Sequence, residues 1–166
     1  QKKIIAKANA ASKPVITATQ MLLSMAEKEM ATRAEISDVA NAVLDGTDAV
    51  MLSEESAISK NPINVVEVMA NTIKETEAIY PYSKFEVYPF LDETDIISSS
   101  TARLAERLGV EAMISLTSSG KSAKKLARYR IRADIYAVTH DERTARSLTI
   151  AWGIKPIMNI EASNLN

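Results

Sequence analysis

Apolar positions along this chain follow two rhythms, and the switches between them mark its elements. From Gln1 to Ala11 the chain is rich in alanine and lysine, and Ile4, Ile5 and Ala8 are spaced to share one side, which predicts a helix. Val15–Thr19 predicts a strand. Side chains alternate there, so Val15, Thr17 and Thr19 share one face and Ile16 and Ala18 the other. A long connection runs from Gln20 to Ala31. Thr32-Arg33-Ala34-Glu35 then has capping-box spacing, and Ile36, Val39, Ala40 and Val43 recur at helical spacing, with Gly46 placed to end the helix. Ala49–Leu52 predicts a second strand that ends at Ser53. Asn61-Pro62 pairs an N-cap with proline at the first helical position, ahead of a helix that buries Val66, Met69 and Ile73 and reaches about Ala78. Two strand–helix units in succession suit a parallel βα repeat.

Residues 80–94, YPYSKFEVYPFLDET, break the rhythm with aromatic–proline pairs and predict an ordered connector with a domain boundary near residue 88. Beyond it, Ile97, Thr101, Leu104 and Leu108 mark a helix closed by Gly109. Ala112–Leu116 predicts a strand, a helix starts near Gly120, Ile135–Val138 predicts another strand, and Thr144–Ala151 a helix. Lys155–Met158 begins a third strand. This half alternates β and α as well, which predicts a mostly parallel sheet.

Composition narrows the function. Apolar residues make up 46% and charged residues 25% of the 166, an ordinary globular balance. The formal net charge of −1 leaves no basic field for nucleic acid or an anionic membrane. Absence of cysteine excludes disulfides and thiolate metal sites and makes a reducing cytosol the easier home. No apolar run is long enough to span a bilayer. The chain opens on Gln1 rather than methionine, and the expectation is a piece of something longer.

Candidate chemistry lies at strand ends. In α/β folds the carboxyl ends of parallel strands open onto the ligand side. Thr19 ends the first strand and Ser53 the second, and the connection after Thr19 is long for a βα loop. Two readings fit: hydroxyls presented to a pocket, or residues chosen as a strand former and a strand terminator. LTSSGKSAKKLARYRIR, residues 116–132, is the second candidate. Thr117, Ser118, Ser119 and Ser122 surround Gly120 and Lys121 just where a helix begins, and free N–H groups there make a seat for phosphate. Lys121, Lys124, Lys125, Arg128, Arg130 and Arg132 follow without an acid. The other reading is a serine-rich cap before a solvated basic face. The P-loop spacing is absent. His140, the only histidine, has no near partner in sequence, and Trp152 fits a packing role at a helix–turn–strand junction. Glu54 and Glu55, adjacent in an extended reading, point to opposite sides and make a poor acid/base pair. No residues have metal-ligand spacing.

KPVITATQML, residues 13–22, closely resembles the pyruvate kinase segment around the seventh barrel strand. The resemblance continues through TRAEISDVANAVLDGTDAVMLSEESA, residues 32–57, then LTSSGKSAKKLARYR and AWGIKPI, in one order over nearly the whole chain. It implies a partial TIM (β/α)8 barrel of two βα units in residues 1–88, and a partial α/β regulatory domain with a mostly parallel sheet in residues 89–166. Such enzymes transfer the phosphoryl group of phosphoenolpyruvate to ADP, giving pyruvate and ATP in glycolysis. They use Mg²⁺ and usually K⁺ and work as cytoplasmic homo-tetramers. Thr19 then matches the family's substrate-binding active-site threonine and Ser53 a second catalytic hydroxyl. Thr117, Ser118, Ser119, Gly120, Lys121 and Ser122 match a loop that holds the phosphate of a sugar-phosphate or nucleotide effector. The catalytic lysine, the metal ligands and the nucleotide contacts fall on earlier strands and a lid domain, so none is expected here, and the chain alone is expected to be inactive.

Several positions depart from the family. Glu54 stands where MLSGETA has glycine, which at positive φ costs a side chain about 1–2 kcal/mol. Leu23 replaces an acid, Lys28-Glu29-Met30-Ala31 replaces a proline-containing loop, and Arg130-Ile131-Arg132 lacks a proline. The rival reading is a non-catalytic regulatory module that binds phosphate or a phosphosugar.

Overall fold

The computed structural model describes residues 1–82 and 86–158. The chain divides into two compact units. One comprises Gln1–Ala6 and Val15–Pro81; the other comprises Lys7–Pro14 and the described residues from Tyr82 onward.

In the first unit, helix α1 (Lys2–Ala10) begins, and strand β1 (Ile16–Thr17) pairs in parallel with β2 (Ala49–Val50), in the register Ile16↔Ala49 and Thr17↔Val50. Both strands are shorter than their apolar runs. The ladder stops because Thr19 and Gln20 turn into the left-handed region, at φ 72° and 55°. Thr19 is therefore not the third member of an alternating face. Helix α2 (Arg33–Leu44) connects the strands and packs against α4 (Pro62–Ala78). Asn61 caps α4, with Pro62 in its first turn, as the sequence predicts. The face of α4 is displaced from its predicted position: Val65 and Met69 are buried, Ile73 is partly buried and Val66 is 51% exposed. A short helix α3 (Glu54–Ala57), absent from the sequence reading, follows Ser53. Glu54 is thus helical and lies outside the positive-φ positions, so the expected penalty for replacing glycine does not arise.

The connection from Gln20 to Ala31 is part of the core. Met21, Leu22 and Met25 are buried with Val39, Ala42 and Val65, and Leu23–Ala26 forms a 3₁₀ turn. Glu35 pins that turn. Its carboxylate accepts hydrogen bonds from Ser24 N and Oγ at 2.6 Å each, and from Thr32 N at 2.8 Å, while Thr32 Oγ1 completes the capping box by accepting from Glu35 N. Burial raises the Glu35 pKa, but the bonds from Ser24 and Thr32 outweigh it and bring it to about 2. A depressed folded pKa stabilises above the unfolded value near 4.5, and that contribution is lost as pH falls toward 2. Glu35→Gln is accordingly expected to cost about 1–2 kcal/mol at pH 7. The gap from the parent chain should close between pH 4.5 and 2, as read by urea denaturation followed by circular dichroism.

The second unit holds helix α5 (Glu93–Leu108), strand β3 (Ala112–Leu116), helix α6 (Lys121–Ala127), strand β4 (Asp134–Thr139), helix α7 (Glu142–Leu148) and strand β5 (Ile154–Met158). The strands form one parallel sheet in the order β3-β4-β5. Parallel strands need crossover helices, and α6 and α7 supply them. Ile135, Ala137, Leu148 and Ile154 lie in its core with Ala123 and Leu126 of α6. Helix α5 buries a different face from the predicted one. Asp95, Ser98, Ser99, Ala102 and Ala105 are inside, whereas Ile97, Leu104 and Leu108 are 64%, 56% and 67% exposed. Small side chains allow close approach of the helix, and charge complementarity fixes its inner face. Gly109 ends α5 at φ 63°, as its position predicts. Part of the aromatic–proline connector, residues 83–85, lies outside the described residues. Trp152 sits in the α7–β5 turn with the Arg130 guanidinium 5.2 Å from its ring centroid.

Candidate functional site

Thr19 and Ser53 leave adjacent parallel strands at the same, carboxyl, end. Thr17 O accepts the Met51 amide at 2.9 Å, so the two backbones still run side by side where the ladder stops. Beneath them Thr47 is buried: its hydroxyl donates toward Val15 O and Ala49 O and accepts from Thr17 Oγ1 at 2.9 Å. This ties the interior of the strand pair and leaves the hydroxyls above it exposed. Thr19 and Ser53 are both exposed side chains. A β-branched residue at φ 72° is a steric outlier, and such strain clusters where surrounding structure overrides local preference.

Glu55 is the residue the sequence reading passed over. Far from pointing away from Glu54 along an extended chain, it turns inward from α3 and is 1% exposed. Its Oε2 accepts the Ser53 amide at 2.8 Å. Burial pushes its pKa up, but the amides of Ser53, Glu55, Leu22 and Met21 outweigh burial and hold the carboxyl below its ordinary value. The carboxylate is thus bonded to the backbone at the Ser53 exit, and its helix α3 packs against the Leu23–Ala26 turn that follows the other exit. An acid two residues after a strand-ending serine was the available signal, but depth of burial is invisible in a single sequence.

The second candidate loop lies in the other unit. Gly120 stands at φ 76° ahead of α6, and its amide donates to Thr117 Oγ1 at 2.9 Å. Ser115 Oγ and Ser122 Oγ are 3.2 Å apart, and Thr144 Oγ1 donates to Ser118 O at 3.1 Å, which seats the loop on α7. Ser118, Ser119 and Lys121 are exposed. The basic run after the loop is neither an open anion trap nor a solvated face. Lys121 Nζ lies 2.8 Å and Lys125 Nζ 2.6 Å from Asp92; Lys125 and Arg128 lie 2.8 and 3.0 Å from buried Asp95. Arg130 is also buried and donates to Asn9 Oδ1 at 2.7 Å. The acids come from α5 and its cap, distant in sequence, which is why the run reads as uncompensated.

Among the described residues no group of three His, Cys, Asp or Glu side chains is placed to hold a metal ion. Among the same residues no helix is long and apolar enough to cross a membrane.

Comparison with known proteins agrees with this geometry. The profile described as the pyruvate kinase barrel domain matches residues 1–66, and that of the pyruvate kinase alpha/beta domain matches residues 95–166. A pyruvate kinase of Lactobacillus delbrueckii subsp. bulgaricus is 48% identical over 99% of this chain and 29% of its own length. One from Clostridium acetobutylicum is 46% identical over 96% of this chain and 34% of its own. A crystal structure of a pyruvate kinase from Cryptosporidium parvum superimposes with a TM-score of 0.91 at 37% identity, covering 97% of this chain and 34% of that one. The chain thus spans about a third of the length of these relatives, and with both domain types matched in order it belongs to the pyruvate kinase family.

Proposed function

We propose that this chain serves, within a longer enzyme, the transfer of a phosphoryl group from phosphoenolpyruvate to ADP. Residues 1–88 are the C-terminal part of its (β/α)8 barrel and residues 89–166 the first part of its α/β regulatory domain. The observation that carries the reading is the pair of hydroxyls, Thr19 and Ser53, exposed at the carboxyl ends of adjacent parallel strands, where barrel enzymes keep their chemistry. Once the phosphoryl group leaves, the enolate must gain a proton at carbon. A threonine hydroxyl is too weak an acid to supply it alone; Thr19 positions the enolpyruvate and passes a proton along a chain with Ser53 and water. The transferred group needs cations rather than covalent help. Mg²⁺ and K⁺ fill that role in the proposed enzyme, held by residues outside this chain, in a cytoplasmic homo-tetramer.

Two strands cannot close a barrel, so the 166-residue chain alone should show no turnover in a lactate-dehydrogenase-coupled assay. In the full-length enzyme Thr19→Val should lower kcat at least tenfold with little change in the KM for phosphoenolpyruvate. Unchanged kcat removes Thr19 from the mechanism. In the same reading Thr117, Ser118, Ser119, Gly120, Lys121 and Ser122 hold the phosphate of a sugar-phosphate or nucleotide effector. The left-handed Gly120 and the exposed hydroxyls support this. The effector acts by binding one conformational state more tightly than the other.

A further inference from the structure

We infer that Glu55 is a positioning residue: its buried carboxylate clamps the two strand exits together and so sets the placement of Thr19 and Ser53. Three observations meet at this point. Thr19 and Gln20 occupy consecutive left-handed conformations, at φ 72° and 55°, that neither residue prefers. The chain then enters the core at once, with Met21 4% and Leu22 0% exposed. Between that segment and the turn at Ser53 lies Glu55, 1% exposed, with Oε2 on the Ser53 amide at 2.8 Å.

A strained turn persists only where its surroundings determine it more strongly than local preference does. The apolar anchors Met21 and Leu22 hold one side of the turn. The carboxylate supplies the polar half, because amides turned inward at the end of a ladder need acceptors. Glu55 Oε1 is buried with no partner in close hydrogen-bond geometry among the described residues, while the Met21 and Leu22 amides act on the carboxylate and favour its charged form. A buried charge held on the Ser53 amide at one exit, on a helix that packs against the Leu23–Ala26 turn beyond the other, resists their separation. A neutral amide at this position would keep one acceptor and bring N–H donors against N–H donors. Among the described residues the exposed side chains of Thr19 and Ser53 make no side-chain hydrogen bond, so the backbone sets where they stand.

The catalytic consequence rests on the reading of Thr19 and Ser53 given above; the clamp itself does not. The test therefore has two arms. The first uses this chain and amide hydrogen exchange by NMR. In the unmodified chain Met21, Leu22 and Ser53 should be protected at least tenfold. In Glu55→Gln exchange at these three should rise at least tenfold, while Val39 and Val65 in the core of the same unit change less than twofold. Absence of protection in the unmodified chain overturns the clamp even if the variant does not fold, and so does an equal response at all five amides. The second arm uses the full-length enzyme. Glu55→Gln should lower kcat at least tenfold, and it should cost less than threefold further when added to Thr19→Val, since one acts through the other. Independent, multiplicative losses overturn the positioning role. An unmodified enzyme without turnover overturns the functional reading, and the exchange arm then judges the clamp alone.

Discussion

Asp95→Ala should lower the stability of the second unit by about 3–5 kcal/mol, among the largest effects of any single substitution in this chain. Asp95 is 1% exposed and faces two cations, Lys125 Nζ at 2.8 Å and Arg128 Nη2 at 3.0 Å. It also accepts the Leu91 amide at 2.8 Å, which fixes the entry into α5. Removing the carboxylate leaves the cations unequally served. Lys125 keeps Asp92 at 2.6 Å. Among the described residues Arg128, 4% exposed, keeps only neutral acceptors, including Tyr129 Oη at 3.0 Å, and the rings of Tyr88 and Tyr129 at 4.9 and 5.1 Å. A buried guanidinium without its counter-charge carries the full desolvation cost. Asp95→Asn should fall between, because it keeps shape and an acceptor but not charge. Trp152, the only tryptophan, lies in this unit and reports its unfolding in urea. The pH dependence has a definite sign. Burial raises the Asp95 pKa, but Lys125, the Leu91 amide and Arg128 more than reverse that and hold it below the ordinary 3.8. Its contribution is present above 3.8 and disappears as pH falls through the lower folded value, so the gap between Asp95→Ala and the unmodified chain should narrow only in strong acid. A loss under 1 kcal/mol at pH 7 would mean that the pair is no better than a surface one.

Leu148→Ala should cost about 2–5 kcal/mol, since Leu148 is fully buried at the centre of the second core. Its interest lies in what it does to a neighbour. A Cβ on Gly120 would meet Leu148 Cδ2 at 3.0 Å, and Gly120 itself stands at φ 76°. Gly120→Ala therefore carries two penalties, about 1–2 kcal/mol for the left-handed backbone and about 1 kcal/mol or more for the overpacked leucine. Only the second depends on Leu148. In the double variant the methyl group enters space the leucine has left, so the combined loss should fall short of the sum by about 1 kcal/mol or more. Additive losses would show that the leucine yields freely and that backbone geometry alone requires glycine. Either result bears on the Thr117–Ser122 loop, because Gly120 N holds the loop through Thr117 Oγ1.

The helix starts at Thr32 and Asn61, the glycine ends at Gly46 and Gly109, and the strand at Ala112–Leu116 were legible in the chain, because each depends on neighbours three or four residues away. So were the alternation of β and α and the family to which the chain belongs. The inner faces of α4 and α5 were not. Periodicity says that a stripe exists, but the partner chooses the stripe. For α5 that choice put Asp95 and Ser98 inward and left Ile97 and Leu104 exposed. Thr19 read as the last residue of a strand, whereas packing of Met21 and Leu22 bends it into the left-handed region.

The candidate site divides along the same line. Local sequence determined which hydroxyls stand at strand ends, since a strand's period and its terminators are short-range properties. Tertiary structure alone decided that Glu55 would be buried against the Ser53 amide, and that Lys121, Lys125 and Arg128 after Gly120 would meet Asp92 and Asp95. The reason is electrostatic. What a charge is worth depends on its depth and on the groups around it, and those come from parts of the chain that only folding brings together.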